Sequence, residues 1–392
     1  MAEINDKNGI KAIAYYLPQF HAIPENDKAW GKGFTEWTNT RKAQPMFQGH
    51  YQPREPLNDN YYNLLDDDVK IWQANLAKKY GVFGFCYYHY WFKDGKQLLE
   101  KPAEQMLINK NVNIPFCFSW ANENWSKRWD GGNKELIVEQ DYGEKKEWIE
   151  HFKYLVPFFK DERYITLNGK PVFLIYKPEE MPNVNDMIEC WNYEAKEIGL
   201  PGICFMIQNP NYFFNPAFDM GKFDYQIKFN PFFALAYKGK TLDQLEKRRK
   251  IYKIFKFFKL NGLLDSIIPK IKKKRHKNEI NVQKVLDYDD MWNTIIESES
   301  RQYLIEGAFV DWDNSSRKKD GYVHVGASPV KFGKYYKSLM NKIEKEDLTP
   351  IIFINAWNEW CEGAYLEPDK KNKYEYLEEL YKSQNDNNDM EL

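Results

Sequence analysis

The chain alternates between short continuous apolar runs and longer segments in which apolar residues recur every three or four positions. The continuous runs are IKAIAYYLP (10–18), GVFGFCYYHY (81–90), IPFCFSWA (114–121), PVFLIYK (171–177), ICFMIQN (203–209), YQIKF (225–229), YLIEGAFVDW (303–312) and PIIFINAW (350–357). Most lack the in-and-out alternation of a half-exposed strand. Runs of this kind are strands buried on both faces, as in a parallel sheet covered by helices. The intervening segments read as those helices. In LLDDDVKIWQANLAKKYG (64–81), Val69, Trp72, Leu76 and Tyr80 recur at helical spacing. Asp66, Asp67 and Asp68 stand just ahead of them, where a helix N-terminus favours negative charge. That placement explains the acidic triplet better than metal binding does. Segments 144–161, 183–202 and 328–346 follow the same pattern.

Strand–helix alternation repeated eight times predicts an α/β fold, a (β/α)8 TIM barrel, with residues 1–385 as one catalytic domain carrying long βα loops. The rival doubly wound sheet needs a glycine-rich first turn, and the chain after the first strand reads YYLPQFHAIPEND. Two segments interrupt the repeat. Residues 19–62 form a long connection rich in Trp, Phe and Tyr, which is expected to fold over the C-terminal face of the barrel, where active sites sit. Residues 237–280 hold a basic helical insertion, with Ile251, Ile254, Phe255 and Phe258 at helical spacing. A basic amphipathic helix is a membrane-surface or partner-binding element, so 237–278 is read either as a peripheral membrane contact or as the sixth barrel helix with a solvated extension. Residues 386–392 read as a disordered tail.

Composition adds a bias and several exclusions. The 392 residues are 43% hydrophobic, ample for one large core, and the formal net charge of −1 points to no polyanionic partner. Aromatic residues make up 17%, and rings with polar tips suit amphipathic ligands such as sugars. Cys86, Cys117, Cys190, Cys204 and Cys361 are an odd count without close pairs, which argues for reduced thiols. The N-terminus reads unlike a signal peptide, and no apolar run approaches the roughly 20 residues that span a bilayer, so a cytoplasmic location, peripheral to the inner membrane if the basic segment binds there, is expected. The six histidines, His21, His50, His89, His151, His276 and His324, show no metal-ligand spacing, and neither a metal nor a cofactor is expected. Nucleic-acid binding has only the basic segment in its favour.

The chemistry gathers at the C-terminal ends of the expected strands. Gln19 and His21 follow the first; Tyr88, His89 and Trp91 the second; Trp120, Asn122, Glu123 and Trp125 the third. Tyr176 and Lys177 follow the fourth, and Gln208 and Asn209 the fifth. Asp311, Trp312, Asp313 and Asn314 follow the seventh, and Asn355, Trp357, Asn358, Glu359, Glu362, Tyr365 and Glu367 the eighth. Acids for chemistry, amides for hydroxyls and rings for stacking make a carbohydrate site. Glycoside cleavage ordinarily uses two carboxyl groups flanking the scissile bond. Glu359 and Glu362 are three residues apart, so on a helical turn they share one side. A one-sided pair suits a different division of labour, in which one carboxylate deprotonates the hydroxyl beside the anomeric carbon and the other protonates the departing oxygen. Like charges held close also raise one pKa, as a general acid requires. The plainer reading of Glu362 is a helix cap or a salt bridge.

The motif NEWCEGAYLEP resembles the NEWHEGTQIEP-type motif of glycoside hydrolase family 99, the endo-α-mannosidase and endo-α-mannanase family. The opening YYLPQFHAIPENDKAWGKGFTEW, with GFCYYHYWF, WANENWSKRWDG and WDNSSR, is similar to the family-99-like WbsX proteins, typically encoded among bacterial surface-polysaccharide biosynthesis genes. The resemblance to WbsX runs over nearly the whole chain; that to family 99 is confined to the last strand and its loop. It implies a (β/α)8 barrel and a retaining mechanism through a 1,2-anhydro sugar. It also implies Glu359 as base on the 2-hydroxyl and Glu362 as acid/base at the glycosidic oxygen. The family's histidine between the two acids is Cys361 here, and a thiol donates to substrate poorly, so the departure bears on which sugar is recognised. The expected function is an endo-acting glycoside hydrolase on a bacterial surface polysaccharide or its precursor. The alternatives are a glycosyltransferase of surface-polysaccharide or O-antigen synthesis, for which Asp311–Asp313 would supply an Asp-x-Asp signature, and a non-catalytic glycan-binding protein.

Overall fold

A computed structural model describes residues 1–4, 9–127, 135–208, 221–238, 284–318 and 321–385. Its centre is a closed barrel of eight parallel strands: β1 (Lys11–Tyr16), β2 (Val82–Trp91), β3 (Phe116–Trp120), β4 (Lys170–Ile175), β5 (Cys204–Ile207), β6 (Tyr225–Ile227), β7 (Leu304–Phe309) and β8 (Ile351–Asn355). Each pairs with the next in sequence, and β8 pairs back onto β1 from Ile351–Lys11 to Ile354–Ala14, which closes the ring. Each strand coincides with one of the eight apolar runs. Their backbone hydrogen bonds are satisfied strand to strand, and the helices cover their outer faces, so nearly every residue of these strands is buried.

Strand parity sorts the side chains. Tyr15 points into the lumen, its ring 5.8 Å from Tyr88, 5.2 Å from Phe229 and 5.5 Å from Phe353. Tyr176 closes the same layer, 6.2 Å from Tyr88. Neighbouring Tyr16 points outward and donates its hydroxyl to Gln73 at 2.7 Å. The lumen is therefore plugged with aromatic rings, and whatever binds above them meets a floor of tyrosines.

Around the barrel, the described helices are α1 (Pro24–Trp30), α2 (Glu36–Lys42), α3 (Asp67–Lys79), α4 (Lys101–Ile108), α5 (Lys145–Phe159), α6 (Val184–Glu197), α7 (Phe232–Tyr237), α8 (Tyr288–Glu297), α9 (Pro329–Lys345) and α10 (Glu375–Asn385). Asp66 caps α3, accepting from the Asp68 amide at 3.0 Å, as the acidic triplet predicts. Of the four residues at helical spacing on α3, Leu76 is buried and Val69, Trp72 and Tyr80 are partly buried against the core; Lys70, Gln73, Ala74 and Ala77 are sealed in beside them. The alanines lie fully buried on the side that faces the barrel. The polar pair is tolerated because its heads are paired: Lys70 reaches the Leu64 carbonyl (2.8 Å), Gln105 (2.9 Å) and Asp67 (2.9 Å), and Gln73 joins Tyr16 to Glu367 (2.7 Å each).

The connection 19–62 carries α1 and α2 and folds onto the loop that follows β8. The expected basic insertion, apart from 237–238, and the tail 386–392 lie outside the described residues. No helix among the described residues is long and apolar enough to cross a membrane.

Candidate active site

After β8 the chain makes a tight hairpin. Asn358–Glu359 pairs antiparallel with Ala364–Tyr365, and Trp360–Glu362 forms a single 3-10 turn between them. That turn sets Glu359 and Glu362 on one side, as their spacing predicts. Gly363 reverses the chain at φ +63°, and a Cβ there would lie 3.1 Å from that of Asp313, so both the backbone and the space favour glycine. The hairpin is pinned from several sides. The Asp313 amide donates to the Glu362 carbonyl at 2.6 Å, and Ser316 Oγ to the Cys361 carbonyl at 2.5 Å. The Asn358 side chain bonds both the amide (2.7 Å) and the carbonyl (3.1 Å) of Leu17 at the end of β1. Trp360 stacks on Tyr365 at 3.9 Å.

One guanidinium holds the acids. Arg317, from the loop after β7, donates Nη1 to Glu362 Oε1 at 2.6 Å and Nη2 to Glu359 Oε2 at 3.3 Å. The same Nη2 donates to Glu36 Oε2 at 2.8 Å. Glu36 opens α2 and is fully buried; Glu359 is nearly so, and Glu362 is partly exposed. Burial, then the charges of Glu362 and Glu36, push the Glu359 carboxyl well above its usual range, against Arg317. Burial also raises Glu362, opposed by Arg317 and reinforced by Glu36. Burial works against the Arg317 charge, but Glu36, Glu362 and Glu359 more than offset it, so it stays a cation. Neither Glu36 nor Arg317 stood among the expected site residues, although both lie in quoted motifs, GFTEW and WDNSSR.

Cys361, between the two acids, points away from them. Its Sγ lies 3.1 Å from Thr40 Oγ1 and 3.2 Å from the Glu36 carbonyl, buried under α2, with its pKa pushed up first by burial. It anchors the hairpin to α2 and stabilises the seat of Glu36.

The other expected residues fall into three groups. Tyr88 and Tyr176 face the pair: after burial, Glu359 is the main charge raising the Tyr88 phenol, and Glu123, Glu362 and Glu359 all act on Tyr176. Tyr90, not expected, also feels Glu359. Gln19 lies beside them, its carbonyl accepting from the Glu36 amide at 3.1 Å. Neither end of the buried Gln19 amide, nor Glu36 Oε1, has a hydrogen-bond partner among the described residues. Buried polar groups are ordinarily paired, so these atoms offer hydrogen-bonding capacity beside the acids. Glu123 forms an ion pair with Lys177.

A second group ties the loops together. Asn122 bonds the Lys177 amide (2.7 Å) and carbonyl (2.8 Å), and Asn355 donates to the Asn230 carbonyl at 3.1 Å. Gln208 bridges Ser119 (2.6 Å) and Tyr88 (3.0 Å). Asp313 accepts from His50 (2.8 Å) and Gln52 (2.7 Å), and Asp311 from Arg54 (2.9 Å). Asn314 accepts from the Tyr322 amide at 3.0 Å, and Tyr365 donates to Asp369 at 2.7 Å. Trp312 meets Phe232 edge-on at 4.9 Å, and Trp357 is fully buried against Phe85 at 5.0 Å. Glu367 lies behind the hairpin and takes three donors, Tyr62 (2.8 Å), Gln73 (2.7 Å) and Trp360 (2.7 Å).

The third group lies away from the acids. His89 has outward parity; its Nε2 lies 2.8 Å from that of His151 on α5. Trp125 donates to Asn26 at 3.1 Å, and His21 is buried with burial pushing its pKa down to about 4. Trp91 and Trp120 line a cavity of about 230 Å3 with Tyr142 and Trp148. A neighbouring cavity of about 220 Å3 shares Asp141, Tyr142, Gly143 and Trp148 with it. Asn209 lies outside the described residues. Among the described residues no cluster of His, Cys, Asp or Glu has the arrangement to hold a metal ion.

The family model described as "Glycosyltransferase WbsX" matches residues 12–380. The chain belongs to the WbsX family. Two relatives from strains of Xanthomonas campestris pv. campestris, each named uncharacterized protein WxcX, are 31% identical over 370 residues. The match takes in 93% of this chain and 48% of theirs, so the chain spans about half the length of these curated relatives. Among solved structures, this WbsX chain is similar to the family 99 endo-α-mannosidase from Bacteroides thetaiotaomicron, with a TM-score of 0.51 at 13% identity over 97% of this chain and 96% of that one. It is also similar to a protein titled glycoside hydrolase-like protein, with a TM-score of 0.56 at 11% identity and the same coverages. At such identities the likeness is one of fold, and the fold of this WbsX protein is the (β/α)8 barrel that the eight apolar runs predict.

Proposed function

We propose that this protein is a glycoside hydrolase that cleaves an internal bond in a bacterial surface polysaccharide or its precursor, with retention of configuration, through a 1,2-anhydro sugar. The observation that carries the reading is the placement of Glu359 and Glu362 on one turn, on one side of the space above the tyrosine floor, bridged by a single guanidinium. In the first step Glu359 takes the proton of the 2-hydroxyl, whose oxygen attacks the anomeric carbon. The glycosidic C–O bond breaks, and Glu362 protonates the departing oxygen. In the second step the Glu362 carboxylate takes a proton from water, the water oxygen attacks the anomeric carbon, and the opening ring oxygen recovers its proton from Glu359. Two inversions give net retention.

A sugar hydroxyl is a weak acid, so its base works best with a raised pKa, which burial gives Glu359. The family description favours a second reading, transfer, in which an acceptor hydroxyl replaces water in the second step. The Asp-x-Asp segment lends that reading little support, because Asp311 and Asp313 are taken up by Arg54, His50 and Gln52.

The test incubates the purified protein with the surface-polysaccharide fraction of its source cells and counts new reducing ends, against a Glu362→Gln control. Ends that accumulate with the wild type and fall by roughly 10²–10⁴-fold in the variant support hydrolysis with Glu362 as acid. No release by either protein sinks the hydrolase reading for that glycan and moves the weight to transfer.

A further inference from the structure

We infer that Glu36 is a positioning residue that keeps one proton on the Glu359/Glu362 pair by holding part of the Arg317 charge to itself. The inference rests on the assignment of Glu359 and Glu362 as the reacting acids. Three carboxyl groups share one guanidinium, so full ionisation would leave two net negative charges on these four groups. Glu36 and Glu359 compete for the same nitrogen, Nη2, and Glu36 is the nearer, at 2.8 Å against 3.3 Å. Glu36 is fully buried and fixed in place: its amide is bonded to the Gln19 carbonyl, and Thr35 ahead of it forms a capping box with Thr38. Its Oε1 has no hydrogen-bond partner among the described residues, and its Oε2 is bonded to Arg317.

An acid that must protonate a leaving group needs a proton at working pH. An arginine between two carboxylates works against that, since it favours both ionised forms. Without Glu36, Arg317 would be shared by Glu359 and Glu362 alone and would favour their ionised forms more strongly, against the burial that raises both. With Glu36 drawing on the same guanidinium, the pair is under-compensated, and protonating one member relieves the repulsion. Among the described residues, the other groups facing the pair do not replace Glu36. Tyr88, Tyr90 and Tyr176 are neutral phenols, the Cys361 thiol is held protonated by burial, and Lys318 acts on Glu362 in the same sense as Arg317. Glu123 is already paired with Lys177.

The test needs no substrate. The full chain is labelled with 13C at glutamate carboxyls, and the pair is followed by NMR as a function of pH, with Glu359→Gln and Glu362→Gln used to assign its signals. In Glu36→Gln the titration of the pair is expected to move down by about one pH unit or more, the size of effect a neighbouring charge exerts. Arg317→Gln should move it up. A purely structural role for Glu36 would not produce opposite shifts. Should Glu36→Gln fail to fold, Glu36→Asp, which draws the carboxylate back from Nη2, is expected to shift the pair in the same downward sense. A pair that titrates as in the wild type, in whichever of these Glu36 variants folds, overturns the inference. If the shifts appear and no glycan is cleaved, the hydrolase reading fails and the positioning role stands. In an active enzyme Glu36→Gln should move the alkaline limb of kcat down by the same amount with KM little changed.

Discussion

At Cys361 the chain departs from the family 99 motif, and the structure gives the departure a physical meaning. The thiol packs under α2 against Thr40 and the Glu36 carbonyl, so its substitution is felt first as lost packing. Cys361→Ala is expected to cost about 1–2 kcal/mol in a denaturant titration. In the native protein the Cys361 peptide should resist maleimide and become labelled only on unfolding; rapid labelling of the folded chain would contradict its placement. Glu359 and Glu362 were legible from their spacing because a single local turn sets their geometry. Glu36 and Arg317 were not, because they meet across 281 residues of sequence and no spacing rule reaches that far. What marks them in the sequence is membership in the GFTEW and WDNSSR motifs. His89 follows from strand parity: with Tyr88 facing the acids, the next residue of an extended strand must face the helices.

The elements show the same division. The barrel strands were legible because burial on both faces leaves continuous apolar runs, and the four expected helices, at 64–81, 144–161, 183–202 and 328–346, formed where their periodicity put them. The polar members of the buried face of α3 were not legible, since apolar spacing cannot foresee that Lys70 and Gln73 find partners inside. On α5, His151 lies parallel to Trp91 at 4.4 Å and shares a hydrogen bond with His89. Burial pushes His89 down to about 3, and burial followed by the His89 charge pushes His151 well below its usual value. Both folded-state pKa values lie below the unfolded value of 6.5, so the unfolded chain takes up protons first as pH falls. Stability is then lost below pH 6.5, at about 1.4 kcal/mol per pH unit for each histidine. His151→Phe should cost about 1–3 kcal/mol at pH 7 by leaving His89 unpaired. The variant no longer carries the His151 share of the acid loss, so its deficit should narrow at pH 5. Thermal melts at the two pH values check this, and a constant deficit would contradict it.

At the scale of the whole molecule, a closed barrel plugged with aromatic rings leaves its C-terminal end as the platform for chemistry. The connection 19–62 brings α2 over the hairpin after β8, and the loop after β7 brings Arg317 from the side. The hairpin therefore carries both carboxyls proposed to react, while Glu36 and Arg317 reach them from two other parts of the chain. The sequence announces such a platform through the polar and aromatic residues at nearly every strand end. It does not say which of them face the acids and which tie loops together, because that depends on side-chain partners such as those of Asn122, Asn358 and Glu367. The central claim is that one side of the sugar is served by both acids, through its own 2-hydroxyl. The measurement that tests it most directly is proton NMR of the first-formed reducing end during cleavage, before the anomers equilibrate. The account predicts that the new hemiacetal has the anomeric configuration of the bond that was cut. A first-formed product of inverted configuration would contradict it.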